Sequence, residues 1–261
     1  MRFPLFSLEL TEGFIFVLIR VSSILMMVPV FGDSRIPATV KWGLSLLISL
    51  VIFPIVRAGF TEAGNFSSMR FVSGIAGEML VGITIGFAAR LVFAGIQIAG
   101  EVLGFQMGFS FASVVDPLTN IQVTIISEFQ YLLGMLLFMS VNAHHIFISA
   151  ISDSYLLFPP LGVHFSGAFL PGLLLLFREI FVIAIKISAP VMAVLLFSNI
   201  AMGMVARTVP QMNVFAINFP LQIGIGLLFI GLAAPVFVKT AARIFLNLSG
   251  DITALMRLMR I

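Results

Sequence analysis

The stretch Ile75–Gly108, IAGEMLVGITIGFAARLVFAGIQIAGEVLGFQMG, decides the fold. Its only charges are Glu78, Arg90 and Glu101, and no proline interrupts it. At about 1.5 Å per residue it reaches roughly 50 Å as a helix. The hydrocarbon core of a bilayer is about 30 Å thick and is crossed by about 20 residues. A helix that overshoots the bilayer by this much needs protein around it, or must kink.

Five more apolar stretches flank it: Phe14–Phe31, Trp42–Val56, Phe129–Ile151, Leu170–Val205 and Val214–Val238. Trp42–Val56 is short for a span and contains Pro54; Leu170–Val205 is again too long for one simple span, and Pro190 can kink it. Hydrophobic residues make up 60% of the 261 positions and charged residues 10%, against about 25% charge in a soluble domain. So few charges cannot cover a wetted surface, so most of it meets lipid or apolar protein. The fold class that follows is an all-α integral membrane protein. The net charge of +3 is too small and scattered for nucleic acid, and the lack of cysteine removes disulfides and thiolate metal sites. Arg2 is followed by Glu9 and Glu12 with no small-residue cleavage site, so the first apolar stretch is expected to be retained.

Charge places the tail. Lys239, Arg243, Arg257 and Arg260 follow the last stretch against Asp251 alone, which puts this end in the cytoplasm. From Leu91 to Phe177 there is no Lys or Arg, while Glu101, Asp116, Glu128 and Asp153 are present, so the connection after the third stretch reads as outside. The other connections do not alternate: six spans put the acidic Asp153 region inside and Arg207 outside. The aromatic content is 28 Phe with one Trp and two Tyr. Trp and Tyr normally form belts at the headgroups, so either much of the chain touches protein or it simply favours Phe.

Several features carry candidate function. Gly82 and Gly86, then Gly100, Gly104 and Gly108, recur at helical spacing and permit close helix approach, within the chain or to partner subunits. Arg20, Arg90 and Lys186 lie inside apolar stretches and need partners; Glu78 and Glu179 are candidates. Glu179 and Lys186 share a helix face. The readings are structural ion pairing or an ion path. His144 and His145 are adjacent and His164 is distant, so no metal-ligand spacing exists. Gly108-Phe109-Ser110-Phe111-Ala112 lacks the second glycine and the strand of a hydrolase elbow. No catalytic, cofactor or metal site is expected.

The segment GFQMGFSFASVVDP, Gly104 to Pro117, interleaves Phe105, Met107, Phe109 and Phe111 with Gly108, Ser110 and Gln106, and carries no charge before Asp116. It is either an apolar constriction that excludes water or the end of the third helix with a buried loop. In ARTVPQMNVFAINFP, Ala206 to Pro220, Pro210 breaks the helix, and Gln211 and Asn213 offer amides. This reads as the turn of a helical hairpin, and as either a docking surface or a capped loop.

These segments together resemble the flagellar biosynthetic protein R family and its injectisome counterparts in type III secretion. The matching residues are Arg20, Pro29-Val30-Phe31-Gly32, Ile36-Pro37 and Lys41; GEVLGFQMGFSFASVVDP; Asn142-Ala143-His144-His145 with Ser154; and Arg207, Pro210-Gln211, Phe215 and Pro220. Their order and spacing cover nearly the whole chain. A glycine is expected where Ala143 and Asn218 stand; Asn tolerates a left-handed backbone, so Asn218 is expected to keep the turn.

The resemblance implies long, kinked helical hairpins in a multi-subunit helical export-gate assembly in the inner membrane, at the flagellar basal body. Residues 1–168 then resemble a P subunit, with the pore plug at 104–117, and residues 169–261 a Q-subunit hairpin with its cytoplasmic tail. The implied partners are the P and Q proteins, the export-switch protein B on the cytoplasmic side, and unfolded export substrates. The implied role is passive, a pore wall with Met107, Phe109 and Phe111 sealing the closed path. The alternatives are an injectisome subunit and a secondary transporter of a small solute; no internal repeat supports the latter.

Overall fold

The computed structural model describes residues 8–57, 68–109, 125–158, 167, 169–211 and 213–259. It is all helix: α1 (Leu8–Met27), α2 (Pro29–Gly32), α3 (Ala38–Val56), α4 (Ser68–Gln106), α5 (Ile125–Ser140), α6 (His144–Leu157), α7 (Phe169–Thr208) and α8 (Val214–Leu258). Five of these are long and apolar enough to cross a membrane, or six spans if α5 and α6 count as one.

The first apolar stretch breaks at Val28, because Pro29 opens a new helix where its missing N–H is harmless. Gly32 closes that short helix against the Met26 carbonyl, in space that a side chain would fill. Asp33 Oδ1 then accepts from the Arg35 amide at 2.9 Å, and Lys41 Nζ donates to the Gly32 carbonyl at 2.9 Å. The short polar connector is thereby tied to the start of α3.

The overlong third stretch is one unbroken helix of 39 residues. The fourth is not one helix. It bends by 64° between α5 and α6, and Asn142 sits at the corner with φ +56°. Asn is one of the few residues that adopts this backbone at little strain. The final helix runs 45 residues, well past Val238. Lys239 and Arg243 therefore mark a change of surroundings and not the end of the helix.

The chain forms two compact units. Residues 1–91, 142–177 and 246–261 make the first, and residues 92–141 and 178–245 the second. In the first, Phe16, Val17, Val21 and Ile24 of α1 are buried, with Val81 and Ile85 of α4 and Phe147 and Ile151 of α6. In the second, Phe93, Phe138 and Phe245 form an aromatic trio with centroids 5.4–5.6 Å apart. Offset and edge-on pairs at this range stabilise beyond their buried area.

Large apolar side chains also cover the outside. On α3, Leu47, Val51 and Ile55 are 64%, 70% and 68% exposed. Phe181 and Phe197 of α7 and Leu228 and Leu232 of α8 are likewise exposed. A soluble monomer rarely shows contiguous patches of this kind, so these faces meet lipid or other subunits.

Candidate functional site

The first unit holds a buried ionic cluster. Arg20 on α1 is 0% exposed and Glu78 on α4 is 1% exposed. Arg20 Nε donates to Glu78 Oε2 at 2.5 Å, and Arg20 Nη1 donates to Ser154 Oγ at 2.9 Å. Ser154 passes the bond on, its hydroxyl donating to the Ile151 carbonyl at 2.7 Å. The guanidinium lies over the Tyr155 ring, 3.7 Å from the centroid, where the ring's negative face attracts it. Arg20 thus joins three helices. Its Nη2 and Glu78 Oε1 have no hydrogen-bond partner among the described residues.

Glycine makes that meeting possible. Glu78, Gly82 and Gly86 recur every four residues and so share one face of α4. A Cβ at Gly82 would stand 2.6 Å from Ser23 Cβ and 2.7 Å from the Arg20 carbonyl oxygen. One at Gly86 would stand 2.8 Å from the Ile24 carbonyl oxygen. The small residues let the α1 backbone come close enough for Arg20 to reach Glu78, so these two glycines serve packing within the chain. Gly100 does the same in the second unit, against the Ser127 backbone.

The second unit holds the start of the apolar segment. Helix α4 ends there by a Schellman closure. The Phe109 amide donates to the Gly104 carbonyl at 3.0 Å and the Gly108 amide to the Phe105 carbonyl at 3.1 Å. Gly108 takes φ +88°, the left-handed position that the motif assigns to glycine. Met107 is completely buried with Leu103, Ile126, Val191 and Leu195, and Phe109 packs against that cluster. Phe105 is 72% exposed. At this end, then, Met107 anchors the segment in the chain's own core and Phe105 carries the free apolar surface. Ser110, Phe111, Asp116 and Pro117 lie outside the described residues.

At the hairpin turn α7 stops at Thr208, before Pro210. Arg207, Pro210, Gln211 and Asn213 are exposed. Asn213 caps α8, its Oδ1 accepting from the Ala216 amide at 3.3 Å. Phe215, Asn218 and Pro220 lie within the first turns of α8. Asn218 is therefore helical and not the left-handed residue of the turn; that backbone appears at Asn142, next to Ala143. Sequence reading passed over Gln222, which is buried and donates from Nε2 to Asn199 Oδ1 at 2.9 Å and Ser198 Oγ at 3.2 Å. Its signal was a pair of amides four residues apart, Asn218 and Gln222, inside an apolar helix.

The remaining charges stay apart. Arg90 is exposed, with Nη1 3.9 Å from Met27 Sδ. Glu179 and Lys186 are both exposed on α7, and no ion pair joins them among the described residues. The His144 and His145 ring centroids are 4.3 Å apart, but no group of three or more metal-ligating side chains occurs among the described residues.

Long apolar helices with apolar outer faces define an all-α integral membrane protein. The description of bacterial export proteins, family 1, matches residues 12–248. The chain belongs to that family. It is 32% identical over 246 residues to flagellar biosynthetic protein FliR of Bacillus subtilis (strain 168), covering 91% of this chain and 92% of that protein. It is 31% identical over 242 residues to the protein of the same name in Escherichia coli (strain K12), covering 90% of each. A third relative, FliR of Caulobacter vibrioides, is 31% identical over 221 residues, covering 82% of this chain and 85% of that protein.

Proposed function

We propose that the chain is a pore-wall subunit of the flagellar protein export gate. It conducts unfolded flagellar substrates across the inner membrane, and the apolar segment 104–117 closes the path. The observation that carries this reading is the family match over residues 12–248, together with relatives named for flagellar biosynthesis. The anchored helix end at Met107 and the exposed Phe105 in the last turn of α4 support a seal built there. The role is passive: the wall shapes a path and excludes water, and an external source drives transport.

The exposed faces of α3, α7 and α8 are where the P and Q proteins would pack, and the charged end of α8 is where export-switch protein B would be met. Residues 1–168 act as the P-like part and residues 169–261 as the Q-like hairpin.

The test is secretion of hook and filament proteins by a strain lacking the gene, with and without a complementing copy. Loss of these proteins from the medium, restored by complementation, is the expected result. Normal flagellar secretion would overturn the reading and direct the next assay to injectisome effectors. Deleting 104–117 should raise ion leak; unchanged leak in a complex that still assembles would place the seal elsewhere.

A further inference from the structure

Two contacts between the end of α4 and the face of α8 are reciprocal. Met107, in the turn that closes α4, fills the space over Gly226 of α8: a Cβ there would stand 2.6 Å from Met107 Cγ and Cε and 2.7 Å from Sδ. In return, Phe219 of α8 fills the space over Gly108: a Cβ there would stand 2.5 Å and 2.9 Å from the Phe219 ring. Each helix thus offers one large side chain and one glycine to the other. Phe219, Gln222 and Gly226 are three and four residues apart and share one face of α8. Gln222 sits between the two contacts, and its Nε2 bonds to Ser198 and Asn199 tie α8 to α7. That tie fixes which face α8 turns toward Met107 and Gly108.

We infer that Phe219, Gln222 and Gly226 are positioning residues for the plug, holding its first residues in the closed arrangement. The inference rests on the reading that 104–117 closes the path, and goes beyond it by naming what keeps the segment there. The joint is tight but not fully satisfied: Gln222 Oε1 is buried with no hydrogen-bond partner among the described residues. Buried acceptors without partners destabilise the state that contains them. The closed joint is thereby stabilised by shape and opposed by polarity, as suits a contact that must release. Methionine suits it too, since its unbranched thioether repacks readily when its pocket changes.

The test is ion leak in cells carrying the assembled gate. Gly226→Ala places a methyl group where Met107 lies, and should raise leak several-fold at normal complex yield. Adding Met107→Val, a shorter side chain, should return leak toward the starting level. Wild-type leak in Gly226→Ala, or raised leak that Met107→Val does not reverse, would overturn the inference. Should Gly226→Ala lower complex yield, a second experiment decides. The chain has no cysteine, so Met107→Cys with Gly226→Cys can form only one internal disulfide. Export that stops on oxidation and resumes on reduction supports the joint as the releasing contact. Export through the oxidised gate, or no disulfide in an assembled gate, overturns it. Failure of the gate reading itself looks different: deletion of 104–117 then leaves leak unchanged.

Discussion

Arg20 and Glu78 stand 58 residues apart and meet Nε to Oε2 at 2.5 Å, with no accessible surface left on the arginine. The pair is embedded, so removing one partner strands the other as a buried charge. Such a change destabilises by about 3–5 kcal/mol. Arg20→Ala or Glu78→Ala should lower the yield of folded chain from membranes far more than Arg90→Ala, whose side chain is exposed. The paired change Arg20→Met with Glu78→Leu should recover much of the loss. The readout is the thermal midpoint of the purified assembly; equal loss in the single and paired variants would contradict this account.

Arg20→Lys is a separate case. Lysine keeps the charge but not the planar fork that reaches Glu78 and Ser154 together while lying over Tyr155. An intermediate loss, between Arg20 and Arg20→Ala, is expected in the same melting experiment. Tyr155→Leu should cost about 0.5–2 kcal/mol on the cation–π scale, and Tyr155→Phe less than that.

Gly82 is the position where added size should hurt α1–α4 packing. Its Cβ would meet Ser23 and the Arg20 carbonyl at 2.6–2.7 Å. Gly82→Val should destabilise by at least about 1–3 kcal/mol, as overpacking does. Gly203, with open space around it, should tolerate Ala in the same position-by-position scan of membrane yield.

Asn142 holds φ +56° at the α5–α6 corner. Asn142→Gly should be neutral or slightly stabilising, whereas Asn142→Val should destabilise by about 1–2 kcal/mol. Limited proteolysis at the corner, compared between the two variants, separates them.

The sequence shows α4 plainly, because a long apolar run without proline leaves little else open, whereas α7 runs on as one helix through Pro190 and α8 through Pro220 and Pro235. It also points to Arg20 as one of three cations in apolar stretches and to Glu78 as one of two candidate partners, but not to which pair forms, and separately to Gly82 and Gly86. That Glu78, Gly82 and Gly86 form one face is legible in their spacing. What they face is not, since α1 lies far upstream. The split of Phe129–Ile151 is hidden because no glycine or proline marks it; only Asn142 does, and a single asparagine in an apolar run is a weaker turn signal than either. The continuation of α8 past Val238 is hidden for a different reason. Charges report where lipid ends, and a helix needs no lipid to continue. The stacking of Arg20 on Tyr155 requires a third helix to be in place and leaves no local trace.

The corner at Asn142 bears on how this protein's topology is mapped. Ala143 is buried, and α6 follows at once with Ser154 and Tyr155, which Arg20 needs. A reporter enzyme fused after any residue before Ser154 truncates the chain and leaves Arg20 without those partners. Such fusions would record where an unseated fragment settles, while short tags inserted into the full-length chain would record the orientation of the intact protein.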